Sequence, residues 1–93
     1  MHSVVIIEDS FPLRQGMILT FDWRAQNCYV AGEADNGEDG LRLIREIKPE
    51  IVITDIRMPG MDGLDMIEEL RKSGGDAVCI VISAYGEFDY AQR

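Results

Sequence analysis

Three acidic residues follow two short apolar runs of the sequence, at points where a strand would end. Glu8 and Asp9 come directly after Val4–Ile7. Asp55 comes directly after Ile51–Thr54. If the two runs are neighbouring parallel strands, their carboxyl ends share one edge of a sheet and the three carboxylates converge there. Two unit charges ~5 Å apart repel by about 3 kcal/mol at an effective dielectric constant of 20. The cluster therefore predicts a carboxyl group with a raised pKa, or a bound hard cation such as Mg²⁺.

A divalent cation held by carboxylates beside one further carboxylate is an arrangement suited to phosphoryl transfer. The metal neutralises phosphate oxygens, while the carboxylate attacks phosphorus and becomes an acyl phosphate. Asp55 is the better candidate nucleophile, because we expect its strand to lie in the middle of the sheet. Ser83 follows a later apolar run and would donate a hydroxyl hydrogen bond to a phosphoryl oxygen. For any one acid alone the ordinary roles are helix capping and solvation, so the convergence of three acids carries the hypothesis.

The elements that must position these residues are visible as four short apolar runs, Val4–Ile7, Cys28–Gly32, Ile51–Thr54 and Val78–Ile82. The runs are rich in Val and Ile and do not alternate with polar residues, which is typical of strands buried on both faces of a parallel sheet. The segments between them hold 20, 18 and 23 residues. That is enough for a crossover helix and too long for a hairpin. The order β-α-β-α-β-α-β predicts an α/β fold, a doubly wound parallel sheet with helices on both faces.

Each intervening segment carries apolar residues at helical spacing. These are Leu13, Met17 and Phe21 with Ile18 beside them, then Leu41, Ile44 and Ile47, then Leu64, Ile67 and Leu70. Helix start and stop signals flank them: Asp9-Ser10 with Pro12, Asn36 to Lys48-Pro49, and Asp62 to Gly74-Gly75. Three helices with defined starts are therefore expected.

Length, charge and apolar content exclude several classes of protein. With 93 residues the chain is expected to form one domain, residues 1–93. Its formal charge of −8 argues against direct binding to nucleic acid, which needs a basic face. No apolar run approaches the length of a membrane span, and the first residues do not resemble a secretory signal, so a cytoplasmic location is expected. Cys28 and Cys79 are expected to be separate reduced thiols.

Three pieces of the chain together resemble the receiver domain of a two-component response regulator. They are Val4–Asp9, Ile51–Gly63 and Val81–Tyr85. The middle piece is the most specific, because an Asp closes an apolar strand, Met-Pro follows three residues later, and Asp-Gly comes shortly after. The resemblance extends over the whole chain and implies a flavodoxin-like topology with strand order 2-1-3-4.

The resemblance implies roles for the acidic cluster. Asp55 resembles the phospho-acceptor of the family. Glu8, Asp9 and Asp55 resemble the carboxylates that hold Mg²⁺, with the backbone carbonyl of Arg57 as a further ligand. The domain would then be a signalling switch and not an enzyme with an external substrate. Its own chemistry would be limited to self-phosphorylation and self-dephosphorylation at Asp55.

Three further positions receive roles from the same resemblance. Ser83 resembles the hydroxyl residue that moves onto the phosphoryl group and reports its presence. Arg57 and Tyr85 occupy positions that tune how long the phosphoryl group survives. The implied phosphoryl donor is a sensor histidine kinase. The first helix would be its docking face, with Phe11, Leu13 and Arg14 as candidate contacts; a core or solvated role is the alternative for each of them.

Two further stretches are similar to receivers that are attached to DNA-binding domains of the arabinose-regulator type. Phe21–Gly40 and Ser83–Phe88 carry that likeness. It implies a transcriptional output domain that follows this chain.

The sequence also departs from the family pattern. It ends at Arg93, within what would be the fourth helix, so the fifth strand, the fifth helix and the family's lysine have no counterpart. We therefore expect an incomplete receiver that is poorly phosphorylated. The fourth strand, Val78–Ile82, would be an open apolar edge, which predicts self-association or domain swapping. An alternative function is a non-phosphorylatable interaction or dimerisation module.

Two enzymatic or cofactor-binding alternatives are disfavoured by single positions. A phosphatase of the haloacid dehalogenase type needs an aspartate two residues after the nucleophile, where this chain has Arg57. A flavin carrier needs a loop rich in glycine and hydroxyl groups after the first strand. Here that loop begins with Glu8 and Asp9, which repel phosphate unless a metal is present.

Overall fold

The chain alternates strands and helices along the part that the structure, a computed structural model, describes, residues 1–82. The strands are β1 (His2–Ile7), β2 (Cys28–Ala34), β3 (Ile51–Asp55) and β4 (Val78–Ile82). The helices are α1 (Phe11–Thr20), α2 (Gly37–Ile47) and α3 (Gly63–Lys72), and Arg24–Gln26 forms a short 3₁₀ turn. The four predicted strands and three predicted helices are all found. The expectations for Ser83, Tyr85 and a fourth helix fall outside the described residues.

The four strands form one parallel sheet in the order β2-β1-β3-β4. This order is the predicted one, and it identifies the fold as α/β with flavodoxin-like topology. β1 lies between β2 and β3, and its residues Val4–Ile7 are almost completely buried. Branched aliphatic side chains fill both faces of such a central strand, which explains why the run shows no polar alternation.

The two faces of the sheet carry separate cores. On one face, β1 and β3 pack against α2 and α3, with the buried residues Val5, Ile7, Val52, Leu41, Ile44, Met66 and Leu70. On the other face, Val4, Ile6 and Cys28 pack against partly buried residues that include Met17 and Ile18 of α1. The sheet therefore has helices on both faces, as the doubly wound pattern predicts.

One extra residue interrupts the pairing of β1 with β2. Val4 pairs with Val30 and Val5 pairs with Gly32, so Ala31 forms a bulge in β2. After the bulge, Gly32 lies beneath α2. A Cβ atom added there would lie 2.9 Å from the Ile47 side chain, so the missing side chain lets α2 pack closely on β2.

The predicted helix starts are confirmed in detail. The side chain of Ser10 accepts the Leu13 N–H at 3.4 Å. Asn36 Oδ1 accepts the Asp39 N–H at 2.8 Å, and Asp62 Oδ1 accepts the Asp65 N–H at 2.8 Å. These bonds occupy N–H groups that have no partner within a helix. The predicted ends are also found: the residue before Pro49, Lys48, is left-handed with φ of 54°, and Gly74 follows α3 with φ of 88°.

The apolar residues at helical spacing in the α1 segment do not all face the sheet. Leu13 and Phe21 are exposed, whereas Met17 and Ile18 pack on the sheet. Positions 14, 17 and 18 lie on one face of the helix, which is the face towards the sheet. Arg14 bonds to Glu33 and Glu8 on this side, and Leu13 therefore faces outward. Phe21 lies beyond the last helical residue and has extended backbone angles.

Two further findings concern membrane spans and the two cysteines. None of the helices among residues 1–82 combines the length and the hydropathy that a membrane crossing requires. Cys28 and Cys79 are both free, on β2 and β4, with two strands between them.

Candidate functional site

Three carboxylates meet at the carboxyl edge of the sheet. One oxygen from each of Glu8, Asp9 and Asp55 lies within 4.8 Å of the other two. Glu8 is only 3% exposed, Asp55 is half-buried and Asp9 is exposed. The convergence expected from strand order is therefore found, and the cluster runs from the core to the surface.

Strand register and local hydrogen bonds hold these side chains. Ile7 pairs with Thr54, so the residues that follow on β1 and β3 emerge side by side. The Ser10 N–H donates to Glu8 Oε1 at 3.2 Å, and the Ile56 N–H donates to Asp55 Oδ1 at 2.8 Å. Glu8 and Asp55 thus each have one carboxylate oxygen oriented by a backbone N–H.

Burial and neighbouring charge change the acidity of Glu8. Burial raises the pKa of Glu8 to about 7. A hydrogen bond with Asp55 and the negative charges of Asp55 and Asp9 add to this upward shift. The Ser10 N–H opposes the shift by stabilising the carboxylate. In the metal-free protein, a proton on Glu8 therefore relieves part of the repulsion in the cluster.

We expect the metal-free protein to lose stability as the pH rises from about 4.5 to about 7. The folded state keeps the Glu8 proton to higher pH than the unfolded chain, so it binds more protons in this interval and raising the pH favours unfolding. One proton corresponds to a slope of at most about 1.4 kcal/mol per pH unit. Urea unfolding in EDTA at a series of pH values measures this slope.

The matched control for this slope is Glu8→Gln, which keeps the size of the side chain and removes the titration. The difference between the two unfolding curves isolates Glu8 from the other acids. The same slope in both proteins, or a wild type that gains stability relative to the variant over this interval, would contradict the assignment.

A hollow of about 560 Å³ opens beside the cluster. It is lined by Asp9, Arg57, Met58, Pro59, Gly60 and Asp62. Ile56 and Met58 are buried and anchor this β3–α3 loop, while the Arg57 side chain is exposed. Gly60 has φ of +77° and provides the turn. Of the three clustered carboxylates, Asp9 lines this hollow.

Glycine at the start of α3 allows that helix to touch the end of β3. A Cβ atom on Gly63 would lie 2.0 Å from the carbonyl oxygen of Asp55. The Gly63 N–H donates to the Ile56 carbonyl at 2.8 Å. Thr54, fully buried, donates its hydroxyl to the Asp55 carbonyl at 3.0 Å. Helix α3 and Thr54 together fix the peptide group that carries Asp55.

Sequence reasoning missed three of these supporting residues. It used the Asp62-Gly63 pair as a family signature and a cap, without the backbone contact that requires glycine. It assigned nothing to Thr54, although a hydroxyl in an otherwise apolar strand is a visible signal. It placed Arg14 on a docking face, whereas the Arg14 side chain is only 11% exposed and bonds to Glu8 and Glu33.

The donor set fits a hard divalent cation. Carboxylate oxygens are the ligands that Mg²⁺ takes from proteins, and it usually keeps several waters, so the exposed side at Asp9 suits it. Among the described residues, Glu8, Asp9 and Asp55 form such a group. Ser83 and Tyr85 lie outside those residues.

Comparison with known proteins gives a consistent result. The sequence model of the response regulator receiver domain family matches residues 4–93. The uncharacterized transcriptional regulatory protein YesN of Bacillus subtilis is 35% identical over 93 residues, which are 100% of this chain and 25% of YesN. The receiver domain of AraT, a response regulator from Geobacillus stearothermophilus, is 35% identical with a TM-score of 0.88, covering 98% of this chain and 70% of that one.

A second solved structure carries a title that names the type of regulator. It is a two-component transcriptional regulator AraC from Clostridium phytofermentans, 28% identical with a TM-score of 0.86, and it covers 97% of this chain and 70% of that one. Response regulators of the LuxR family are among the other matches. The chain spans 25% of the length of YesN and 43% of the response regulator GacA of Pseudomonas aeruginosa.

Proposed function

Because this chain belongs to the response regulator receiver domain family, we propose that Asp55 accepts a phosphoryl group from the phosphohistidine of a sensor kinase. The observation that carries this proposal is the convergence of Glu8, Asp9 and Asp55 within 4.8 Å at the end of the central strands. The relatives that match are transcriptional regulators and response regulators, which agrees with a signalling role.

Glu8, Asp9 and Asp55 would hold Mg²⁺, with the Arg57 backbone carbonyl as a further ligand. When bound, the cation supplies positive charge that neutralises phosphoryl oxygens during transfer. Glu8 has to release its proton before it can act as a ligand. Its raised pKa therefore makes Mg²⁺ affinity increase with pH up to about 7.

The chemical step is a displacement at phosphorus. A carboxylate oxygen of Asp55 attacks phosphorus, the P–N bond of the phosphohistidine breaks, and its electron pair stays on the imidazole nitrogen. The Ile56 N–H holds Asp55 Oδ1 at 2.8 Å, which supports Oδ2 as the attacking atom. Fixing the carboxylate in this way reduces the entropy lost on reaching the transition state.

Three other residues complete the proposed cycle. Ser83 would donate its hydroxyl to a phosphoryl oxygen and report phosphorylation. Arg57 and Tyr85 would set the rate of hydrolysis, and the exposed Arg57 side chain at the rim of the hollow supports this for Arg57. Any self-phosphorylation from small donors and self-dephosphorylation would occur at Asp55.

The proposed partners follow from the exposed surface and from the relatives. Phe11 and Leu13 are 63% and 55% exposed, which supports a kinase docking face on α1. Phosphorylation would control a DNA-binding output domain of the arabinose-regulator type, as the AraC match supports. With a charge of −8, this domain would not contact DNA itself, and the output domain would make that contact. We place the receiver domain in the cytoplasm.

The test of this function is phosphoryl transfer to the purified chain from a small acyl phosphate, with intact-mass spectrometry as the readout. We expect one phosphoryl adduct in the presence of Mg²⁺ and none in EDTA. A chain that takes up no label and binds no Mg²⁺ would favour the alternative, an interaction module without phosphoryl chemistry.

We further propose that the chain self-associates through β4. Within residues 1–82, β4 pairs with β3 alone and carries Val78 and Ile80, which are 61% and 46% exposed. An apolar strand edge favours pairing with a second copy or exchange of elements. At ~100 μM we expect light scattering to give a mass above that of the monomer.

The variant that tests this is Ile80→Lys, which places a charge on the apolar strand and should shift the mass towards the monomer. Leu19→Lys is the matched control, because Leu19 is 77% exposed and lies on α1. The idea is wrong if wild type is already a clean monomer, or if the two variants behave alike.

A further inference from the structure

Arg14 connects α1 to β2 and to Glu8, the first residue after β1 and a member of the carboxylate cluster. Its Nη1 donates to the backbone carbonyl of Glu8 at 2.7 Å. Its Nε donates to Glu33 Oε1 at 2.6 Å, and the same oxygen accepts the Gln15 side-chain amide at 2.7 Å. Only 11% of the Arg14 side chain is exposed, whereas Glu33 is 39% exposed, so the guanidinium is largely buried and its ion pair lies at the edge of the surface.

From these contacts we infer that Arg14 is a positioning residue for the Mg²⁺ site, acting through the main chain of Glu8. The inference rests on the proposed function of that site. Arg14 would touch neither the cation nor the phosphoryl group. It would determine where the Glu8 carboxylate stands relative to Asp9 and Asp55.

The main chain of Glu8 needs such support because it lies where the sheet ends. The Glu8 N–H donates to the carbonyl of Ala34, the last residue of β2. In a regular parallel ladder the Glu8 carbonyl would accept its next hydrogen bond from a residue further along β2. β2 ends at Ala34, and the Arg14 guanidinium donates to the Glu8 carbonyl instead. Arg14 thus extends the ladder by one bond to the residue that carries the buried carboxylate.

The positive charge of Arg14 is balanced by the carboxylate of Glu33. Glu33 pairs with the guanidinium, and the Phe11 ring centre is 5.4 Å from the guanidinium carbon. Geometry and charge make opposite predictions for Mg²⁺ binding. If Arg14 acted only as a nearby cation, its removal would strengthen binding of a divalent cation. If Arg14 positions Glu8, its removal weakens binding.

The experiment compares Mg²⁺ dissociation constants, by isothermal titration calorimetry, for wild type, Arg14→Gln and Arg42→Gln. Arg42 lies on α2 with its side chain 73% exposed and paired with Asp39, so its replacement changes net charge equally. We expect Arg14→Gln to raise the dissociation constant about tenfold, as losses of groups that orient metal ligands do. Arg42→Gln should change it by less than about twofold, because exposed ion pairs contribute little.

Two further variants separate positioning from a general loss of structure. Arg14→Lys keeps the charge but cannot make both bonds, so it should recover part of the loss, to about threefold above wild type. Glu33→Asp keeps the negative charge but shortens the side chain, which weakens its bond to Arg14, so it should weaken binding by about threefold even if Arg14→Gln fails to fold. A thermal unfolding curve in EDTA establishes which variants are folded. A purely structural role would lower the unfolding temperature and leave the dissociation constant of the folded variants unchanged.

Each result decides between the two claims. If folded Arg14 or Glu33 variants bind Mg²⁺ as tightly as Arg42→Gln does, or more tightly, the positioning role is overturned. The proposed function is left intact by that result. Wild type that shows no binding up to ~10 mM Mg²⁺ overturns the proposed function, and the positioning role with it.

Discussion

Replacing Asp55 by Asn will reduce phosphoryl labelling by a small acyl phosphate to background, a loss of at least about 10²-fold. The amide nitrogen lacks a lone pair that can attack phosphorus, and the remaining amide oxygen is a weak nucleophile. Asn has the size of Asp and can still accept the Ile56 N–H, so the local fold should survive. Intact-mass spectrometry after incubation with Mg²⁺ measures the effect.

The control for this substitution is Asp65→Asn, which removes an exposed carboxylate from the first turn of α3. It changes net charge by the same amount at a distance from the cluster and should label like wild type. Label retained by Asp55→Asn, with the same adduct mass, would show that another residue is the acceptor. Urea unfolding of both variants establishes that any loss of label comes from chemistry and not from unfolding.

Replacing Gly63 by Ala should lower the free energy of unfolding by about 2–3 kcal/mol. The new Cβ atom would lie 2.0 Å from the Asp55 carbonyl oxygen and 3.2 Å from Thr54 Oγ1. Neither neighbour can move easily, because Thr54 is fully buried and Asp55 ends β3. The helix must shift, which also breaks the 2.8 Å bond from the Gly63 N–H to Ile56. Urea unfolding gives the stability change.

The same substitution at Gly16 is the matched control. Gly16 lies inside α1, and no atom comes within 4 Å of a Cβ added there. Alanine should therefore stabilise the protein by about 0.5–1 kcal/mol through its helix propensity. Opposite signs at the two positions would attribute the loss at Gly63 to contact with the end of β3. A Gly63→Ala protein as stable as wild type would refute that contact.

The fold could be predicted from the sequence because each step depends on local or topological rules. Val- and Ile-rich runs of strand length, separated by 18 to 23 residues, leave only crossover connections. The caps at Asn36 and Asp62 are local, so side-chain type and spacing identify them. The meeting of Glu8 and Asp55 follows from the same topology, because parallel strands bring their carboxyl ends to one edge.

The features that could not be predicted from the sequence depend on contacts between distant segments of the chain. Glu8 and Asp9 are adjacent in sequence, yet Glu8 is buried and Asp9 is exposed, and burial raises the pKa of Glu8. Arg14 faces inward, where it bonds to Glu33, 19 residues later, and to the Glu8 carbonyl. The need for glycine at position 63 arises from the approach of two backbones. None of these distances is encoded in a single segment.

The bulge at Ala31 has a consequence for the cluster that lies some distance from it. Before the bulge, Val30 faces α1; after it, Gly32 faces α2 and Glu33 pairs with Ile6, on the α1 side. If Ala31 were accommodated in a regular strand instead of a bulge, alternation would turn Glu33 away from Arg14. Strand parity thus governs the contact between Arg14 and Glu33. Deleting Ala31 should keep that contact, because regular pairing would still place Glu33 opposite Ile6, whereas inserting one more residue between the bulge and Glu33 should break it.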